Sequence, residues 1–203
     1  MARPPLTRTL GRSGIEVSAM GLGCWAIGGP FWRGDTPVGW GDVDDSESIR
    51  AIHTALDLGV TFFDTADVYG TGHSERVLGQ ALAGHREDIV VATKFSNVFD
   101  VETRQIIGSD VSPAYIRQAC EASLKRLDTD HIDLYQLHNG GLPIEEAESV
   151  RETLEALVTE GKIRAYGRST DDPARAAFLD EGPHCAEVQN QLNVFSDASE
   201  LVA

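Results

Sequence analysis

The chain has 203 residues, 41% hydrophobic and 24% charged, an ordinary globular composition and long enough to bury a sizeable core. Its 32 Asp and Glu outweigh 17 Lys and Arg, and the resulting charge of −15 argues against nucleic acid or an anionic membrane as a main partner. No apolar run approaches the ~18 residues of a membrane span, and the first residues carry no apolar signal core. Cys24, Cys120 and Cys185 are odd in number and far apart, and no His pair has metal-ligand spacing, so neither a disulfide framework nor a metal site follows. A soluble cytoplasmic protein is expected.

In chain order, Arg8 to Gly14 followed by Ile15-Glu-Val-Ser18 predicts a small hairpin turning through glycines. Met20 to Trp25 predicts a first strand. Trp25, Phe31, Trp32 and Trp40 follow among glycines, and either pack that loop or wall a substrate pocket. Ile49, Ile52, His53 and Leu56 mark a helix before the strand Val60–Phe63, and Val77, Leu78, Ala81 and Leu82 mark the helix after it. Ile89–Ala92 is the next strand. Phe95 to Val111 is then the longest irregular piece, long enough to cover a site. Ser112-Pro113 is an N-cap followed by an N1 proline, opening a helix with Ile116, Cys120, Leu124 and Leu127 on one face. After the strand Ile132–Leu137, Pro143 opens a helix with Val150, Leu154, Leu157 and Val158 inward, ended at Gly161. Ile163–Tyr166 is a strand, Asp172-Pro173 repeats the start signal, Ala186–Val188 is the last strand, and a sixth helix starts at Asp197.

Most of these apolar runs are continuous rather than alternating, as parallel strands buried on both faces require. An open doubly wound sheet and a (β/α)8 barrel both satisfy repeated strand–helix units. Six strands fall short of the eight that a ~250-residue barrel contains.

Polar residues stand where each run ends: Asp64, with Tyr69 in the following loop, then Thr93-Lys94, His138, Ser169-Thr170 and Gln189-Asn190. The carboxyl edge of parallel strands is where ligands bind. A free phenol, with a pKa of ~10, is a poor acid at neutral pH, and an adjacent ammonium favours its phenolate. Lys94 can supply that ammonium, Asp64 can hold it, and His138 can orient a carbonyl oxygen. Such a set delivers a proton to a carbonyl that receives a hydride, without a metal.

Phe63-Asp-Thr-Ala-Asp-Val-Tyr-Gly70 with Ser74-Glu75 and Leu78-Gly79 resembles the first signature of the aldo-keto reductases. Thr93-Lys94, Asp133-Leu-Tyr-Gln-Leu-His138 and Tyr166-Gly-Arg-Ser169 follow in that family's order, covering essentially the whole chain as one domain. The resemblance implies an α/β TIM-type barrel, incomplete at about six of eight βα units, with an N-terminal β-hairpin. It implies Asp64, Tyr69, Lys94 and His138 as catalytic tetrad, and Ser169, Thr170 and Gln189 on the nicotinamide carboxamide of NADPH. Trp25 and Asn139 are expected against a small carbonyl substrate.

Thr170 stands where the family has Asn, and Arg168 stands where an apolar or aromatic residue is expected, a charge entering the barrel at that point and costly there unless paired. By comparison with the family, the last two strands are missing, so the open sheet edges are expected to favour self-association. An inactive truncated fragment and a non-catalytic cofactor-binding or regulatory module are the competing readings. Gly21-Leu-Gly-Cys-Trp-Ala26 fits a loose dinucleotide pattern but runs into Gly28-Gly-Pro30, which cannot open the helix that pattern needs. Asp67 reads as a turn residue, and Glu75 as a first-turn charge of its helix.

Overall fold

The structure, a computed structural model, describes residues 6–138 and 144–195; the substrate contact expected at Asn139 and the helix start at Asp197 lie outside these residues. The elements are β1 (Thr7–Thr9), β2 (Glu16–Ser18), β3 (Leu22–Gly23), β4 (Trp32–Arg33), β5 (Thr36–Pro37), α1 (Asp45–Asp57), β6 (Phe62–Asp64) and α2 (His73–Ala81). They continue with β7 (Val90–Phe95), β8 (Asn97–Asp100), β9 (Gln105–Ser109), α3 (Pro113–Leu127), β10 (Ile132–Leu137), α4 (Ile144–Thr159), β11 (Ile163–Ser169), α5 (Pro173–Asp180) and β12 (Cys185–Gln189).

The helices start where the local chemistry satisfies their free N–H groups. Asp44 accepts from the amides of Ser46 and Glu47, Ser112 from Tyr115, and Asp172 from Ala174 and Arg175, with proline opening the first turn of α3 and α5. Each helix turns its apolar stripe onto the main sheet. Ile52, Leu78, Ile116, Leu124, Val150 and Leu154 join the outward residues Phe63, Tyr135 and Tyr166 in the principal core.

That sheet runs β3-β6-β7-β10-β11-β12, all parallel, which makes the fold an α/β barrel type with six of the eight strands. It curls. Gln189, at the end of β12, donates to Asp64 Oδ2 at the end of β6 over 3.1 Å, although three strands stand between them. The β1–β2 hairpin closes the base of the curl, with Ile15 and Val17 packed against the lumen residues Val90, Ala92, Leu134, Ala165 and Ala186. Gly11, at φ +45, lies so close to β12 that an added Cβ would stand 2.0 Å from the Ala186 carbonyl oxygen.

Three expectations need correction. The stretch from Phe95 to Val111 is not irregular: β8 and β9 form a hairpin that joins β4 and β5 in a second, four-stranded sheet. The join is a single parallel pair, Trp32 with Gln105, far apart in sequence, so no local pattern marks it. Arg168 does not enter the barrel. Alternation along β11 turns Ser169 to the lumen and Arg168 to the helical side, where it is fully buried and donates to the Arg175 carbonyl at 2.8 Å. Glu75 is more than a helix-terminal charge: it is fully buried, accepting from Thr93 Oγ1 and Arg126 Nε, both at 2.6 Å.

Candidate active site

Alternation aims every second residue of each strand into the lumen, and the uppermost of these converge. Lys94 Nζ lies 2.5 Å from Asp64 Oδ1 and donates to the Thr65 carbonyl at 2.8 Å, with its side chain almost fully buried. Asp64 thus accepts from Lys94 on one oxygen and Gln189 on the other. A buried ammonium needs this many acceptors, since desolvation otherwise costs several kcal/mol per ion.

Tyr69 reaches the same point from the loop after β6. Gly70 sits at φ +58, where an added Cβ would stand 1.7 Å from the Gly28 carbonyl oxygen, so only glycine lets that loop close. Lys94 Nζ is 5.2 Å from the Tyr69 ring centre. His138 meets the Tyr69 ring edge-on, centroids 5.8 Å apart, and its backbone amide donates to the Phe95 carbonyl at 2.9 Å. The structure therefore brings Asp64, Tyr69, Lys94 and His138 together at the rim.

The electrostatics differ from the sequence expectation at Tyr69. Burial pushes its phenol up from 10, and the Asp64 charge adds to the rise. Lys94 opposes this without reversing it. At rest Tyr69 is a protonated phenol, the form able to give a proton. Burial, with help from Lys94 and Arg33, pushes His138 down to about 3, so its imidazole is neutral. Its Nδ1 is buried without a hydrogen-bond partner among the described residues.

Trp25 stacks on Tyr69 at 6.1 Å with 25° between planes, and Trp40 meets Trp25 edge-on at 5.5 Å. Phe31 packs instead with Ala66 and Val68 beneath the loop. Ser169 and Gln189 are register neighbours at the ends of β11 and β12. Thr170 lies one residue on; its amide donates to the Gln189 carbonyl at 2.9 Å and its hydroxyl accepts from the Asp172 amide at 3.2 Å.

Sequence reasoning undervalued two carboxyls. Asp67 is fully buried behind Tyr69, and burial together with the Glu75 charge holds its pKa well above the carboxylate range. Glu187 enters the lumen one layer below the tetrad, accepts from Gln136, and is pushed up to about 7 by burial. A shift in β12 pairing between Tyr166 and Gly167 turns Glu187 inward, and no residue pattern announces such a bulge.

A parallel barrel sheet carries at its carboxyl edge a buried Lys–Asp pair beside a tyrosine and a neutral histidine. The model of the Aldo/keto reductase family matches residues 19–203, and the chain belongs to that family. It is 43% identical over 161 residues to aldo-keto reductase YhdN of Bacillus subtilis (strain 168), an alignment covering 77% of this chain and 44% of that protein. It superposes on the holo form of aldo-keto reductase AKR11C1 from Bacillus halodurans with TM-score 0.80 and 35% identity, covering 93% of this chain and 58% of that one. It also superposes on an aldo/keto reductase from Klebsiella pneumoniae in complex with NADP and acetate, with TM-score 0.67 and 31% identity, covering 92% and 58%. The chain spans about half the length of the curated relatives it matches. No described helix is long and apolar enough to cross a membrane, and no described group of three His, Cys, Asp or Glu could hold a metal ion.

Proposed function

We propose that this chain carries the catalytic rim of an NADPH-dependent reductase that converts an aldehyde or ketone to an alcohol, with Tyr69 as proton donor. The observation that carries this reading is the 2.5 Å Lys94–Asp64 pair set beside the Tyr69 ring. NADPH fits the residues present: the Ser169 hydroxyl and Gln189 amide stand side by side at the strand ends, within reach of the tetrad, and can satisfy a carboxamide. Thr170 extends that pair. When bound, the cofactor supplies the hydride.

The chain's own residues do the rest. Tyr69 Oη gives its proton to the carbonyl oxygen as negative charge develops there, and is left a phenolate. Lys94 stabilises that phenolate and Asp64 keeps Lys94 in place. Neutral His138 donates a hydrogen bond from one ring nitrogen and orients the carbonyl oxygen. Trp25, stacked on Tyr69, walls the substrate and shields the proton transfer from water. Asp67 and Glu75 support the loop that carries Tyr69.

The test is NADPH oxidation against a panel of aldehydes and ketones, with NADPH binding followed by tryptophan fluorescence. Tyr69→Phe is expected to lower kcat by about 10²–10⁴-fold, the range of one general acid, while binding persists. Activity surviving that change would sink the mechanism. The same proposal includes a cytoplasmic location and pairing of two copies along β12. Among the described residues that strand ends the sheet order, and the nearby Leu192, Val194 and Phe195 are exposed. Sedimentation of the purified chain as a monomer would remove the pairing.

A further inference from the structure

Beside His138 lies a cavity of about 500 Å³, lined by Arg33 of β4, by Ser96 and Asn97 at the start of the β8–β9 hairpin, and by Ile107 and Ser109 of β9. The second sheet therefore roofs the rim. In a chain of net charge −15, no Asp or Glu is among the described residues lining this cavity, and Arg33 is its single cation. Arg33 is exposed at the cavity mouth, and its side chain makes no hydrogen bond or ion pair with any described residue, whereas most other arginines of the chain are engaged, Arg86, Arg126 and Arg164 with buried carboxylates.

Ser96 and His138 line the same cavity, and each carries a buried polar atom, Ser96 Oγ and His138 Nδ1, without a partner among the described residues. Ser96 is also held at φ +113, a backbone region that a serine adopts only where its surroundings enforce it. Buried polar atoms left unpaired cost roughly 1–3 kcal/mol each, so they mark where a polar ligand completes the set. Arg33 is close enough to His138 for its charge to be among the causes that keep the imidazole neutral.

Resting on the reductase reading above, we infer that the substrate is an oxo acid: its carbonyl lies at Tyr69 and His138, and its carboxylate at the far end is bound by the Arg33 guanidinium. A planar guanidinium presents two parallel N–H donors that match a carboxylate. The overall negative field repels such a substrate from the rest of the surface, so recognition falls to this local cation.

The test separates anion binding from catalysis. Glutarate, a dicarboxylate that cannot be reduced, is titrated calorimetrically into the wild-type chain, Arg33→Gln and Arg8→Gln, with pentane-1,5-diol as the uncharged match. Glutarate is expected to bind the wild type and Arg8→Gln alike, at least tenfold more weakly to Arg33→Gln, and more weakly as salt rises. Glutarate binding no tighter than the diol, or equally tight to Arg33→Gln, overturns the inference. In the second arm, NADPH-dependent reduction of 5-oxopentanoate is compared with that of its methyl ester. The wild type is expected to favour the acid at least tenfold in kcat/KM, and Arg33→Gln to erase that preference through KM. Equal turnover of acid and ester overturns the anion site and leaves the reductase reading standing. Arg33-dependent glutarate binding with no reduction of either probe upholds the site and removes the reductase reading.

Discussion

At the base of the sheet, Asp133 is fully buried and its oxygens are fully engaged: Oδ2 accepts from the Val91 amide at 2.9 Å and Arg86 at 2.8 Å, and Oδ1 from Arg164 at 2.6 Å. At the rim, Asp64 also accepts on both oxygens, yet its surroundings are left incomplete, with His138 Nδ1 and Ser96 Oγ buried and unpaired among the described residues. Both ends hold a carboxylate beside a cation. Saturation distinguishes them: a network whose every group is satisfied holds the fold, and one with spare buried donors and acceptors is shaped for something that arrives.

The largest effect should expose that difference. Asp133→Ala removes the carboxylate shared by Arg86 and Arg164 and leaves the buried Val91 amide unpaired, and is expected to cost about 1–3 kcal/mol, a sizeable part of a domain's total stability. Urea unfolding measures it. Lys94→Met at the rim should do the reverse: a fall in kcat on the order of 10²–10³-fold, as when one charge-stabilising donor is removed, with a smaller stability loss. Asp64 keeps its Gln189 donor and is 17% exposed, whereas Asp133 is at 0%. Equal stability losses at the two ends would erase the distinction.

Titration sharpens it further. His138 is neutral in the fold down to about 3 but protonates near 6.5 when unfolded. Between those values the unfolded chain binds more protons, so this group makes stability rise with pH, its contribution complete above 6.5. Glu187 is protonated in the fold up to about 7 but ionises near 4.5 when unfolded, so it makes stability fall as pH rises through that window. From about 4.5 to 6.5 the two oppose. Relative to wild type, His138→Gln should tilt the stability profile downward with rising pH, and Glu187→Gln upward, each by at most ~1.4 kcal/mol per pH unit. Parallel profiles for the two variants would contradict the assignment.

How much of this was legible depends on the range of the interaction. Helix starts at Ser112-Pro113 and Asp172-Pro173 are local chemistry, and they lie where the sequence places them. The meeting of Asp64, Lys94 and His138 was legible because each sits where an apolar strand turns polar, a signal carried within a few residues, and Tyr69 follows in the loop after β6. Burial of Arg168 on the helical side follows from alternation counted back from Ser169, a step available from the sequence but not taken. The β4–β9 pair, the inward turn of Glu187 and the saturation of Asp133 depend on residues tens of positions apart, and no local pattern encodes them. The sign at Tyr69 was missed for a related reason: the charge of Lys94 can be read in the sequence, whereas the depth of burial that outweighs it cannot.

The smallest effect belongs to another ion pair at the base. Arg12 joins the β1–β2 hairpin to α5 through Asp180 at 2.6 Å, a contact between residues far apart in sequence that looks like a clasp. Its side chains are 53% and 64% exposed, so water screens the attraction and both long side chains lose entropy in making it. Arg12→Ala should therefore cost less than ~1 kcal/mol, and less still at high salt, by thermal melting beside wild type. The hairpin stays seated because Ile15 and Val17 are buried against the lumen and Gly11 rests on the Ala186 carbonyl, neither of which the substitution touches. A loss comparable with that of Asp133→Ala would mean that the exposed pair, not the apolar contact, closes the base.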